Sequence, residues 1–240
     1  MESAETKWET TTTRYVAYID IMGFKDLVAK STHDEIYQMM KNVNDKKRFI
    51  EGIKWKGKNP GLVRSTNYSD SLILYSKDDS NEALQILSAT VAGLTYNLFL
   101  DGVPFKGALA FGLMTLDTEN SIFFGQPLID AYLLQEEVYY YGILIHASVD
   151  KEVKIKGHKW PAFTAHHMSI LKAGAARHMT IYPMYTRPIK DNQASLEGNV
   201  ALIAAIKNLR LNTSGHLRKY IDNTEQYLKD IANSNERAYK

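Results

Sequence analysis

Two aspartates stand where a strand-like sequence has no ordinary use for a charge. Asp20 interrupts the apolar run "RYVAYIDIMGFKDLV" (residues 14–28), and Asp70 sits in "NYSDSLILY", between two short strand-like segments. A lone carboxylate in an apolar sheet costs desolvation, and two on neighbouring strands also repel, so the pair is tolerable when cations neutralise it. Magnesium suits such a pair. It prefers hard oxygen ligands, takes one or two protein carboxylates, and leaves its other positions to water and substrate phosphates. Two such ions can activate an attacking oxygen and neutralise departing phosphates together. The alternative is that Asp20 caps a turn at Gly23 and Asp70 sits in a hairpin turn, each hydrogen-bonded and inert.

For the metal reading, the first strand and the hairpin must lie side by side. Residues 15–22 are mostly apolar on both alternating faces, as in a strand buried on both sides. A helix follows, opened by the capping pattern Thr32 to Glu35 with Ile36, Met39, Met40 and Val43 on one stripe. Leu62–Thr66 and Ser71–Ser76 read as a hairpin, and residues 80–100 as a helix with Leu84, Leu87, Val91, Leu94 and Leu98 on its core side. "FKGALAFGLMTLD" is a strand, and "GQPLIDAYLLQEEVYYYG" a helix with Pro127 in its first turn. "GILIHASVD", "KEVKIKG" and "HMTIYPMYT" read as further strands. Two helical patterns joined near "NTSG" close the chain. The order is that of an α+β sheet, mostly antiparallel, with helices on one face. The expected divisions are an N-terminal extension (1–14), a main domain (15–194) and a C-terminal helical appendage (195–240).

Composition narrows the function classes. The 240 residues, 45% hydrophobic, support one sizeable core. Without cysteine there are no disulfides, thiolate nucleophiles or thiolate zinc sites. No 18-residue apolar run suggests a membrane span, and the opening "MESAETKWETTTTR" lacks the pattern of a secretory signal, so a cytoplasmic location is expected. Residues 151–240 carry 15 Lys+Arg against 7 Asp+Glu, and residues 1–150 carry 14 against 20, for the net charge of +2. That basic C-terminal part reads as solvated helix faces, without a nucleic-acid stripe. No Walker motif or Ser-His-Asp arrangement is present, and no "GGDEF" or "DD" hairpin points to a polymerase-palm relative. His158, His166, His167 and His178 lack the spacing of a zinc site and read as surface residues. The "VYYYG" cluster reads as an aromatic packing patch.

Taken in order, "YIDIMGF", "YSDSLILY", "FKGALAFG" and "IFFGQPLIDAYLLQEE" resemble the catalytic domain of class III nucleotidyl cyclases, from about Tyr15 to Glu137. The resemblance implies a ferredoxin-like βαββαβ core. It also implies two Mg2+ or Mn2+ ions per active site, held by Asp20, Asp70 and the carbonyl of Ile21, with Gly23 and Phe24 beside the substrate. The implied reaction is attack of a ribose 3'-oxygen on the α-phosphorus of a nucleoside triphosphate, giving a 3',5'-cyclic nucleotide and pyrophosphate. A head-to-tail homodimer with composite sites is implied as well.

The sequence departs from that pattern twice. The family's asparagine and arginine on the helix after the "G" element fall here on Ile129 and Leu133, so another cation must act if catalysis survives. Lys156 and Lys159 in "KIKGHK", Arg64 and Arg177 are the candidates; that segment otherwise reads as a charged hairpin. The family's purine-reading positions fall on Thr66 and Ile122, so both purine signatures are missing. The short cyclases of the Pycsar antiphage systems, which make cyclic UMP or cyclic CMP for a separate effector protein, are the most similar. A pyrimidine triphosphate is therefore the expected substrate, UTP before CTP, read by Arg64, Thr66 and Tyr68. A degenerate cyclase-like module that binds a nucleotide or partner is the alternative.

Overall fold

The computed structural model describes residues 8–52, 61–183, 192–211 and 213–238. Along the chain the elements are β1 (Thr11–Ile21), α1 (Phe24–Lys30), α2 (His33–Glu51), β2 (Val63–Tyr68), β3 (Ser71–Ser76) and α3 (Asn81–Leu100). Next come β4 (Phe105–Asp117), β5 (Ile122–Gly125), α4 (Gln126–Glu137), β6 (Ile143–Ile145) and α5 (Ala147–Lys156). The chain closes with β7 (Thr164–Leu171), β8 (Gly174–Ile181), α6 (Asn192–Leu211) and α7 (Leu217–Ala238). The strands form one sheet in the order β2-β3-β1-β4-β6-β8-β7, with β5 hairpinned onto β4. Every pairing is antiparallel except that of β4 with β6.

β1 is central because its sequence leaves it nowhere else to go. Tyr15, Val16, Ala17 and Ile19 are fully buried, and the strand is hydrogen-bonded to β3 on one side and β4 on the other. Tyr15, Ala17, Ile19 and Ile21 point to the face that α3 covers. α3 is apolar on nearly every side, and it packs on β1 and β3 while also meeting α2 and α6. It is the one described helix long and apolar enough to cross a membrane, and 83% of that apolar window is buried inside the fold. The expected layer of helices on one face is present. α4 crosses the opposite face, its Pro127 against Gly112 and its Tyr132 ring 5.5 Å from that of Tyr18.

Several elements differ from the sequence reading. β1 starts at Thr11, inside the segment expected to be an extension, and α1 precedes the anticipated helix. The Thr32–Glu35 capping box does open α2, with the Thr32 N–H donating to Glu35 Oε2 at 2.7 Å. "GILIHASVD" and "KEVKIKG" are not two strands: β6 has three residues, and Ala147–Lys156 is helical. The reason is local. His146 caps the helix by accepting from the Ser148 N–H, Val149 and Val153 are buried one turn apart, and Gly157 ends it at φ 62°. β7 was unanticipated, and β8 ends at Ile181; residues 184–186 of the expected strand lie outside the described residues.

The C-terminal helices share the main core. Leu202, Ile206, Tyr220, Ile221, Tyr227, Leu228 and Ile231 are all buried within it. α7 also grips the chain after α4. Asn223 Nδ2 donates to the Tyr139 carbonyl at 2.7 Å, Thr224 Oγ1 accepts from the Tyr141 N–H at 2.8 Å, and Tyr220 lies 4.5 Å ring to ring from Tyr139. The "VYYYG" aromatics are thus packing groups, as the Tyr140–Tyr227 ring contact at 4.8 Å also shows.

Gly107 on β4 marks how tightly the centre is assembled. A Cβ there would lie 2.6 Å from both the Tyr18 carbonyl oxygen and Ile143 Cδ1. Gly107→Ala should therefore destabilise the protein by about 1–3 kcal/mol, seen as a lower urea midpoint with an unchanged slope; an unaltered midpoint would refute this packing.

Candidate active site

The register of the central strands assembles the site. Asp20 lies opposite Ser71 of β3 on one side and Lys106 of β4 on the other, and Ser71 lies opposite Tyr68 of β2. Directly paired residues in antiparallel strands share a face, so Tyr68, Ser71, Asp20 and Lys106 form one row across four strands. Thr66, Ile73, Tyr18 and Ala108 form the next row, and Arg64, Tyr75, Val16 and Ala110 the one after. The Tyr18 and Ser71 hydroxyls hydrogen-bond across the first two rows. The candidate base-reading residues Arg64, Thr66 and Tyr68 therefore share the face of Asp20.

Asp70 arrives through the hairpin. β2 and β3 are joined by the two-residue turn Ser69–Asp70, with Ser69 in the left-handed region at φ 54°. The Asp70 carbonyl accepts from the Ile21 N–H at 2.9 Å, which fastens the turn to the end of β1. The two carboxylates feel each other. Burial first, and then the charge of Asp70, push the Asp20 carboxyl up to about 6; Lys106 acts against this and Glu136 adds to it.

This donor set fits a divalent cation. It consists of two carboxylates and a backbone carbonyl, all hard oxygens, with Asp20 under-neutralised by its surroundings. Among the described residues there is no group of three or more His, Cys, Asp or Glu side chains able to hold a metal.

The other expected residues are dispersed. Lys156 pairs with Asp79 and Glu152, each at 2.8 Å, and Asp79 lies beyond the C-terminal end of β3 whereas Asp70 precedes its start. Lys159 is at that same distant end, its backbone held by Asn81 and Gln85. Neither meets the aspartates within one chain, because α5 is a helix where a strand and charged hairpin were expected. Arg177 is exposed on β8, three strands from β1 in the sheet order. Arg64 lies 4.5 Å from the Trp8 ring centroid, and Thr66 Oγ1 is hydrogen-bonded to the Tyr75 hydroxyl at 2.8 Å. A cavity of about 250 Å³ opens beside Arg64, lined also by Trp8, Tyr75, Leu116, Asp117 and Asn120. Tyr68, Ile122, Ile129 and Leu133 are exposed. Gly23 makes the left-handed turn (φ 75°) that leads from β1 into α1, with Phe24 its first residue.

Three residues near Asp20 escaped the sequence reading. Lys106 is buried beside it and pairs with Glu136 of α4 at 3.1 Å. Tyr220 of α7 is buried close by; burial, then Tyr139, Glu136 and Asp20, raise its pKa. The available signal was Lys106 itself, a charge in an apolar strand like Asp20.

No protein-family profile matches the chain, and no curated protein does. Solved structures do. The guanylate cyclase domain of RhGC from Catenaria anguillulae in complex with GTP is 11% identical, with a TM-score of 0.50 over 73% of this chain and 99% of that one. The catalytic core of a rhodopsin-guanylyl cyclase with converted specificity, in complex with ATPalphaS, is 10% identical, with a TM-score of 0.52 over 74% of this chain and 99% of that one. The fold is that of a class III nucleotidyl cyclase core. In this cyclase-like core the row through Asp20 carries a half-buried carboxyl that its surroundings hold well above the usual carboxylate range.

The charge on Asp20 has a measurable cost. Its folded pKa lies above the unfolded value, so the ionised form is what destabilises: the cost is absent below about pH 4 and fully present above about 6. Asp20→Asn should stabilise the protein at pH 8 by about 1–2 kcal/mol after solvent screening, and the gain should shrink towards pH 5. Urea unfolding at the two pH values checks this; a variant less stable than the parent at pH 8 would contradict it.

Proposed function

We propose that the protein is a nucleotidyl cyclase that converts a pyrimidine nucleoside triphosphate, UTP before CTP, to its 3',5'-cyclic nucleotide and pyrophosphate. The observation that carries this reading is the meeting of Asp20 and Asp70 at the joined ends of β1 and β3 within a cyclase-like fold. Asp20, Asp70 and the Ile21 carbonyl would hold two Mg2+ or Mn2+ ions, which would supply charge neutralisation at the phosphates and acidify the ribose 3'-hydroxyl. The 3'-oxygen attacks the α-phosphorus, its proton passes to solvent, and pyrophosphate leaves. Gly23 and Phe24, at the turn after β1, border the triphosphate.

Base choice rests on Thr66 and Ile122, which cannot reproduce a long charged contact to a purine edge, and on Arg64 and Tyr68 in the same strand. Uracil offers two carbonyl acceptors to an arginine and a hydroxyl, whereas cytosine puts an amine where one carbonyl would be. An unmatched polar group in a closed site discriminates by up to about 10⁴.

The reading includes a head-to-tail homodimer. Ile122 and Phe124 on β5 and Ile129, Tyr132 and Leu133 on α4 are large apolar side chains left exposed in one stretch of chain, which a second copy would cover. Lys156 and Lys159 enter the reaction only if that copy presents them. By its likeness to Pycsar cyclases the product is a signal in antiphage defence, read by a separate effector protein. The exposed Ile129 and Leu133, where the resemblance calls for polar groups, favour a second reading: a cyclase-like module that binds nucleotide without turning it over.

Incubation with each ribonucleoside triphosphate and Mn2+ or Mg2+, followed by mass spectrometry, separates these. Cyclic UMP should dominate, and Asp20→Ala or Asp70→Ala should cut turnover by about 10²-fold or more. Comparable turnover of ATP and UTP would overturn the base choice, and nucleotide binding with no cyclic product would favour the second reading. Leu133→Glu should shift the dimer to monomer in light scattering and lower activity together. Mixing inactive Asp70→Ala with an inactive Arg64 variant should restore activity if sites are composite; no recovery would overturn that arrangement.

A further inference from the structure

Lys106 occupies an unusual place for a lysine. It lies in β4 directly opposite Asp20, on the same face, with 6% of its surface exposed. Its Nζ is 3.1 Å from Glu136 Oε1 in the last turn of α4, and Glu136 is itself braced, its Oε1 accepting from Gln135 Nε2 at 2.9 Å and its Oε2 lying 3.6 Å from Lys172 Nζ. The same positive charge reaches the Asp20 carboxylate. One cation is thus shared between two anions, one on the sheet and one on the helix.

That arrangement has a definite sign with respect to metal binding. A divalent cation at Asp20 and a lysine beside Asp20 compete for the same negative charge. An anion that draws the lysine towards the helix reduces the competition. We propose that Lys106 is a built-in competitor for the metal position at Asp20 and that Glu136 is the positioning residue that holds it off. The inference rests on the metal reading of Asp20 given above. Without metal Lys106 offsets part of the charge at Asp20; when the ions bind, Lys106 keeps a partner in Glu136 and is not left as an unpaired buried charge.

The roles predict opposite effects for two substitutions, whereas a merely structural pair would weaken binding either way. Mn2+ binding to the whole protein is measured without nucleotide, by calorimetry and by the electron paramagnetic resonance of free Mn2+. The measurements are made at pH 8, where Asp20 is ionised. Lys106→Met should tighten binding about 3- to 10-fold and Glu136→Gln should weaken it about threefold, the scale of one partly screened charge. Glu136→Gln also removes a nearby negative charge, so the double variant decides between the two causes. With Lys106→Met already present, the Glu136→Gln loss should fall to less than half its size. Lys106→Gln, a second neutral variant that can still donate to Glu136, guards against misfolding of the first and should move the same way.

Unchanged or weaker binding in the neutral Lys106 variants overturns the proposal, and so does a Glu136→Gln loss of equal size in both backgrounds. Asp20→Asn separates this failure from failure of the metal reading. If Asp20→Asn leaves Mn2+ binding intact, the site itself is misassigned; if it abolishes binding while the Lys106 variants change nothing, only the competitor role fails.

Discussion

The structure depends on a strand that is hydrogen-bonded along both edges and mostly apolar on both faces, yet carries a carboxylate one residue before its end. β1 has no freedom to slide. A slip of one residue would turn Asp20 towards α3 and its largely apolar contacts, and would bring Val16 and Tyr18 round with it. Its two neighbours fix the register, and the register in turn decides which residues of β2, β3 and β4 stand in line with Asp20. The site is a product of strand alignment more than of any loop.

Charge on this face is balanced by elements distant in the chain. Asp20 belongs to the first strand, Asp70 to a hairpin tip, Lys106 to the fourth strand, Glu136 to the end of α4 and Tyr220 to the last helix. α4 does two jobs there. It covers Tyr18 and Val16 with Tyr132 and Leu128, and it brings an acid to the lysine beside Asp20. The cyclase-like architecture therefore holds the Asp20 carboxyl against burial first and then against the charge of Asp70.

Much of this was legible in the residues. The unbroken apolar character of residues 15–22 marked a central strand, and the Asp70 hairpin was readable from "NYSD" between two β-rich segments. The capping box at Thr32 and the proline in the first turn of α4 were equally plain. What was hidden is what spacing does not encode. "ASVDKEVKIK" alternates well enough for a strand, and only the capping by His146 and the burial of Val149 and Val153 make it α5. Lys106 looked like an ordinary strand lysine until its register partner was known. Tyr220 lies 200 residues from Asp20 in sequence, and only the docking of α7 brings it near. Trp8, in a segment read as an extension, covers Arg64 through a ring contact that no local pattern announces.

The seat of α7 bears on how the molecule is made. The Tyr141 N–H and the Tyr139 carbonyl take their hydrogen-bond partners, Thr224 and Asn223, from a helix 83 and 84 residues further along the chain. During synthesis the ribosome delivers β1 to β8 while these groups still lack their partners, and the aromatic patch around them stays uncovered until α7 emerges. A nascent chain can align its strands early, yet the segment that leads out of α4 sets only once α7 has docked. A chain interrupted between β8 and α7 would keep that aromatic patch uncovered, which makes truncations within α6 or α7 the natural place to look for aggregation and for chaperone dependence.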